Sequence, residues 1–356
     1  MRTTASFLIP VLLLMNVASA HANEALLGHW AIEVVTPGQP AASRYELTIE
    51  SEGEGFVGYV YNGPVPVTVD GDRVEIDIDW VAGTDVAYVS TLRGSLNEDG
   101  TLSGIYDHHG EINFMGRPLR NGSFTGIRIP EAGAEKVIED LPPDPVDISG
   151  VWNAAFGFGG FSKLAYAMTD EGAAIRATFS EMDSPHIRCA GYGLVTTAAW
   201  TGTILPLEIF QNDEQITFVL GADVVRRIYL DDREYPRNRE ATYMGFSTGR
   251  WKGSTLEVIT TRIKPSFQRA GHGNPVSEDA YTREYFTLDE DGFLHRDMWL
   301  HDPENYTRPP YIPRVLDKSF AANVITKMGC DPYSYFRQMY MEGELETYFG
   351  RGEFRR

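Results

Sequence analysis

From Leu26 to Arg128 the chain reads as short runs in which apolar and polar residues alternate, broken by turn residues. Residues 45–49, 56–61, 74–80 and 101–106 carry this period of two, which half-buried antiparallel strands require if one face is to meet a core. Asp70-Gly71 and Asp99-Gly100 fall between such runs, where a tight hairpin needs positive φ and glycine supplies it. The pattern predicts an all-β domain over residues 23–130, most simply a meander closed into a barrel.

Residues 131–147 break the alternation. Pro142, Pro143 and Pro145 remove backbone donors and favour an extended, semi-rigid chain, so the segment reads as a linker. Directly after it, Ile148-Ser149-Gly150-Val151-Trp152 repeats the Leu26-x-Gly28-x-Trp30 opening, which points to a second barrel-like unit over 148–316 built on the same scheme. Its strands are expected near 209–210, 215–220, 224–230, 255–261, 282–288 and 294–300, with Asp291-Gly292 turning the last hairpin. Helix signals are read only in the extension, 317–356. Lys318 to Met328 has amphipathic spacing, and Asp331-Pro332 opens a helix whose Tyr333, Phe336 and Tyr340 are expected to dock on the barrel.

Two resemblances attach to these residues. Gly28-His29-Trp30 at the start of the first unit and Gly126-Ile127-Arg128 at its end resemble the calycin, or lipocalin-like, barrel. That likeness implies a first-strand Trp packed beneath a last-strand Arg. The second unit resembles a family of exported bacterial proteins of proteobacteria and acidobacteria. The likeness rests on Val225 to Asp231, Met244 to Trp251, Thr255 to Val258, Ser277-Glu278-Asp279 with Arg283-Glu284, and His301-Asp302-Pro303. It implies export and carries over no catalytic residue.

Residues 1–22 hold Arg2, an apolar run from Phe7 to Val17 and small residues at Ala18, Ser19, Ala20 and Ala22. The run is too short to span a bilayer, so it reads as a signal peptide and places the protein in the periplasm or outside the cell. No later apolar run is long enough for a transmembrane segment, and no Cys follows the cleavage site to take a lipid. In an oxidising compartment Cys189 and Cys330 read as a disulfide, worth roughly 5 kcal/mol for so long a loop in the chain-entropy picture. The formal charge of −19 argues against nucleic acid or an anionic membrane as partner, since either needs a basic face.

The stretch from Asp223 to Tyr306 concentrates Arg, Tyr, His and carboxylates among strand-like apolar residues. Arg226 and Arg227 must face opposite sides of a strand, so one looks inward, where Glu284, Glu278 or Asp231 could compensate it. A guanidinium also suits a ligand's planar oxyanion. Tyr281, Arg283 and Tyr285 share one strand face. His295 and Asp297, two apart, share another, where the carboxylate could orient the imidazole. The first reading is a small molecule or lipid bound in the second barrel's cavity, with Arg227, Tyr243, Trp251, Tyr281, Arg283 and His301 around it. The alternative is a metal-independent lyase, isomerase or hydrolase, with His295 or His301 as base, Tyr281 as acid and Arg283 on the oxyanion. A third is an envelope scaffold. No nucleophile elbow, phosphate loop or dinucleotide fingerprint occurs, no metal spacing stands out and no cofactor is indicated. Oligomeric state is not legible.

Overall fold

The computed structural model describes residues 24–37, 42–53, 55–79, 89–109, 120–155, 166–180, 183, 185, 189–201, 206–221, 224–231, 233–268, 273–318 and 331–344. The signal-peptide reading, the helix expected after Lys318, and Cys330 lie outside these residues. The chain folds as two compact units, the first ending at Ala132 and the second starting at Gly133. The second also takes in residues 61–64.

The first unit is a closed, eight-stranded antiparallel barrel in sequence order, from β1 (Gly28–Val35) and β2 (Ser43–Glu52) through β3 (Gly55–Val60), β4 (Gly63–Asp70), β5 (Arg73–Asp79), β6 (Val89–Leu96) and β7 (Leu102–His109) to β8 (Gly122–Ile129). The alternation read from sequence fills it, with Trp30, Ile32, Leu47, Ile49, Ile76 and Leu92 almost wholly buried. Each such side chain contributes about 2 kcal/mol of apolar burial. The Asp-Gly hairpins form as expected, with φ of +64° at Gly71 and +80° at Gly100.

The second unit is also a closed barrel, built from β9 (Gly150–Ala154), β10 (Leu207–Gln211), β11 (Gln215–Leu220), β12 (Val224–Tyr229), β13 (Phe246–Lys252), β14 (Thr255–Thr261), β17 (Tyr281–Leu288), β18 (Leu294–His301) and β19 (Arg314–Asp317). A separate ribbon pairs β15 (Ser266–Gln268) with β16 (Asn274–Val276). One rung of the barrel departs from a meander: β12 and β13 run parallel, Ile228 facing Ser247. Parallel neighbours need a long crossover, and residues 233–237 lie over the outside of the wall, beside Phe246, Thr248 and Ile259.

The duplicated opening is real at atomic level. Trp30 donates its indole N–H to Leu26 O at 3.0 Å, and Trp152 donates to Ile148 O at 2.9 Å. A cation from the C-terminal end of each unit's strand sequence sits on the ring, Arg128 at 4.3 Å and Lys318 at 5.0 Å. Gly28 and Gly150 have φ of +123° and +125°, a region L side chains rarely adopt. A Cβ at Gly28 would meet Arg128 at 2.7 Å.

Three helices complete the described chain: α1 (Asp170–Ala177), α2 (Leu194–Trp200) and α3 (Pro332–Glu342). The first two were not read from the sequence. Thr169 caps α1, its hydroxyl accepting from Gly172 N at 3.0 Å. The α2 sequence, Leu-Val-Thr-Thr-Ala-Ala-Trp, lacks a side-chain cap and is buried along most of its length, so neither periodicity nor a boundary residue announces it. Of the stripe expected on α3, Tyr340 is corrected, being 70% exposed where Met339 beside it is buried; Phe336 is half-buried, and the Tyr333 side chain lies outside the described residues.

Among the described residues, α2 and the inner strand faces bound a space of about 20 Å³ inside the second barrel, lined by Leu194, Thr197, Phe218, Arg226, Phe286 and Arg296 among others. That is room for a water and too little for an organic ligand. Arg226, not Arg227, points inward. It meets Glu284 in an ion pair with 5% and 0% side-chain exposure, and also donates to Thr260 Oγ1 at 2.8 Å and Ser247 Oγ at 3.1 Å. Arg296, fully enclosed, has its pKa pushed down to about 9 by burial, an effect that the Glu284 carboxylate only partly offsets. Breaking a buried pair by removing one charge costs about 3–5 kcal/mol. Urea unfolding of Glu284→Gln should therefore show a loss of that size, and a loss under about 1 kcal/mol would contradict this placement.

Candidate functional site

The inward pair fixes the outward set. With Thr282, Glu284 and Phe286 buried inside, β17 turns Tyr281, Arg283 and Tyr285 to the outer wall. Antiparallel register then sets Tyr281 opposite His301, Arg283 opposite Trp299 and Tyr285 opposite Asp297 on β18, while Glu257 of β14 lies beside Tyr285.

The Pro-rich segment read as a linker lies against this wall. Gly133 O accepts the Trp299 indole N–H at 2.9 Å, and Lys136 Nζ donates to Asp297 at 2.5 Å. Further on, Asp144 N donates to Gly253 O at 3.0 Å, and Gly253 N returns a bond to Leu141 O at 3.4 Å. Residues 133–144 thus form a strap.

Between Lys136 and Trp299 the strap delivers Glu135. One carboxylate oxygen accepts from Arg283 at 2.5 Å, and the other lies 2.8 Å from His301 Nε2. The His301 ring stacks on Tyr281 with centroids 4.4 Å apart and planes 5° from parallel. Burial, only partly offset by Glu135, pushes the His301 imidazole below its ordinary pKa, and the Arg283 charge acts in the same direction. The guanidinium, the imidazole and the ring form a cradle for one carboxylate, and all three groups remain partly open to solvent.

Around it the wall is tightly paired. Glu257 takes Arg250 at 2.6 Å, Lys252 at 3.1 Å and the Tyr285 hydroxyl at 3.3 Å. Burial raises the Glu257 carboxyl, but these hydrogen bonds outweigh it and hold the group below its usual range. Burial and then the Glu257 charge push the Tyr285 hydroxyl up to about 12. Asp297 accepts from the Tyr311 hydroxyl at 2.6 Å, and Tyr311 stacks on Trp299.

Of the six residues expected around a cavity, Tyr281, Arg283 and His301 come together, on the wall's outer face. Trp251 is part of the inner core, Arg227 is exposed outside β12, and Tyr243 sits 5.4 Å from Lys264 beside the crossover. His295 shares the face of Asp297 but bonds Asp289 across the hairpin at 2.7 Å, so it stands apart from His301. Asp302 accepts from Ser277 N and Oγ at 2.9 and 2.7 Å. Glu135 and Lys136 were missed, because a charge pair in a Pro-flanked segment reads as solvated linker.

In the first barrel, the Tyr106 hydroxyl donates to Ser90 Oγ at 2.9 Å, and Ser90 Oγ lies 2.8 Å from His108 Nδ1. Burial lowers the His108 pKa. Among the described residues, no three His, Cys, Asp or Glu side chains converge as a metal site, and no helix is long and apolar enough to cross a membrane.

No family model matches the chain, and no curated protein does. Among solved structures it is similar to immune modulator A of Aeromonas veronii, at 8% identity over 84% of this chain and 99% of that one. The TM-score is 0.23, a superposition too loose to carry argument.

The depressed His301 pKa makes stability depend on pH. Between it and 6.5 the unfolded chain binds the proton that the folded site resists, so stability rises with pH there, is complete above about 6.5 and drains as pH falls. Denaturation from pH 5 to 8 should show that slope, shallower in His301→Gln, with His108 accounting for part of the remainder. Identical slopes would contradict the assignment.

Proposed function

We propose that this is an exported, small-molecule-binding protein whose second barrel recognises an acidic ligand through Arg283, His301 and Tyr281, with Glu135 occupying the cradle in the ligand's absence. The observation that carries the reading is the Glu135 carboxylate, gripped by Arg283 at 2.5 Å and set against His301 at 2.8 Å. A side-chain carboxylate so held stands in for the carboxylate of a ligand, and an Arg fork is the residue suited to it. Export rests on the leader-like residues 1–22, and the lipocalin-like reading of the barrels on the Trp-cation pairs. In the same reading Cys189 and Cys330 are joined.

The close packing of the second barrel's interior among the described residues favours binding on the wall over binding in the lumen. The enzyme alternative draws less support. The face of one proposed base, His301, is covered by the proposed acid, Tyr281, and the other, His295, is bonded to Asp289 away from both. A tethered carboxylate competes at an effective concentration of order millimolar, so removing it should reveal affinity that the intact protein hides.

Thermal shift and calorimetry with acetate and succinate should show Glu135→Ala binding at least about tenfold tighter than wild type, a gain of about 1.4 kcal/mol, and Glu135→Ala/Arg283→Ala not binding. Equal, weak responses in all three proteins would sink the proposal. Mass spectrometry of the denatured protein from its own envelope should show residues 1–22 absent and two hydrogens gained on reduction. A retained leader or two free thiols would remove the exported reading.

A further inference from the structure

A second concavity lies on the same wall, where the crossover between β12 and β13 passes over the outer faces of β13 and β14. It is a basin of about 360 Å³, bounded by Arg233, Glu234, Tyr235 and Arg237 from the crossover and by Phe246, Thr248, Ile259, Thr261 and Arg262 from the wall. Ligand pockets begin at about 300 Å³, so the space suits a one- or two-ring molecule.

Its floor is aromatic. Phe246 packs against Tyr229 with centroids at 5.5 Å and against Tyr235 at 5.2 Å, and the Tyr235 hydroxyl is anchored on Glu240 O. Its rim is basic. Arg233 is committed, lying 4.1 Å over Tyr229 and donating twice to Asp231 at 2.6 Å. Arg237 and Arg262 have no charge partner among the described residues. With Glu234 as the only acid among the described residues that line the basin, their balance is basic on a chain whose net charge is −19.

Arg262 is set there at a cost. Its φ is +56°, a region that non-glycine residues rarely adopt, and bonds from Thr242 N to Arg262 O at 3.1 Å and from Lys264 N to Thr242 O at 2.8 Å hold the turn. A strained residue at the edge of a pocket is a pointer to function. Thr248 and Thr261 add hydroxyls beside the aromatic floor.

We infer that this basin is a binding site for a small organic anion, a flat ring lying on Phe246 and Tyr235 with its oxyanion between Arg237 and Arg262. Ring stacking supplies contact area, and the two guanidinium forks select a carboxylate, sulfonate or phosphate over a neutral group. The site is separate from the Glu135 cradle, although Ile259 on its floor is in register with Arg283 one strand away.

The test uses the full-length mature protein and ligand-observed NMR with calorimetry. The probes are benzoate, benzenesulfonate and phenyl phosphate, with benzyl alcohol and inorganic sulfate as controls. The ring-bearing anions should bind, in an order that identifies the preferred oxyanion, and both controls should bind at least about tenfold more weakly. Arg237→Ala and Arg262→Gly should each weaken binding about tenfold, as expected for loss of a charge-assisted contact. Arg262→Gly relieves the backbone, so its melting temperature should hold or rise and loss of binding cannot be put down to unfolding. Arg283→Ala should leave ring-anion affinity within about twofold, which separates this site from the cradle. No binding by wild type at millimolar concentration, binding that survives both arginine changes, or binding abolished by Arg283→Ala would each overturn the inference.

Discussion

The buried pair of Arg226 and Glu284 sets the second barrel's organisation. Each charge alone would be costly in an interior of Phe218, Leu220 and Phe286, and together, with Thr260 and Ser247 taking further guanidinium protons, they are compensated. A one-residue slip of β17 would turn Glu284 out and Arg283 in, leaving Arg226 uncompensated. The pair therefore enforces the register that places Arg283, Tyr281 and Tyr285 on the outer wall. The cradle around Glu135 follows from that register.

The same alternation governed what the sequence disclosed. Period-two runs and Asp-Gly hairpins located strands in both units, because each barrel has one buried face and tight turns of fixed chemistry. The repeated Gly-x-Trp opening was legible because it is local: glycine, indole and carbonyl lie within five residues. That one of two adjacent arginines must face inward was also legible, with Glu284 among its possible partners. Which arginine does so depends on long-range register, which no local pattern states.

The losses have physical causes as well. Helix α2 is apolar on nearly every side because it fills a barrel, so it shows no amphipathic period. The crossover gave no signal, since parallel pairing of β12 and β13 is a property of the closed sheet. Glu135 and Lys136 were unreadable because their partners, Arg283, His301 and Asp297, lie more than a hundred residues away. The expectation that six residues would ring a lumen failed for five of them by geometry: Tyr281, Arg283 and His301 gather on the outer wall, Arg227 points to solvent and Tyr243 lies by the crossover, while Trp251 alone packs inward.

Among the described residues, the interior of the second barrel is packed by its own helix and ion pair, and the outer wall is where charged groups converge. There the strap supplies a carboxylate that the wall already grips, and the grip is the chemistry a free acid would use. The most direct measurement is a crystal structure of Glu135→Ala grown in acetate. Acetate density should lie between Arg283 and His301, with both side chains placed as in the intact protein and Tyr281 still stacked on the imidazole. A cradle without acetate, with Arg283 turned to Glu257 or to solvent, would contradict the proposed site.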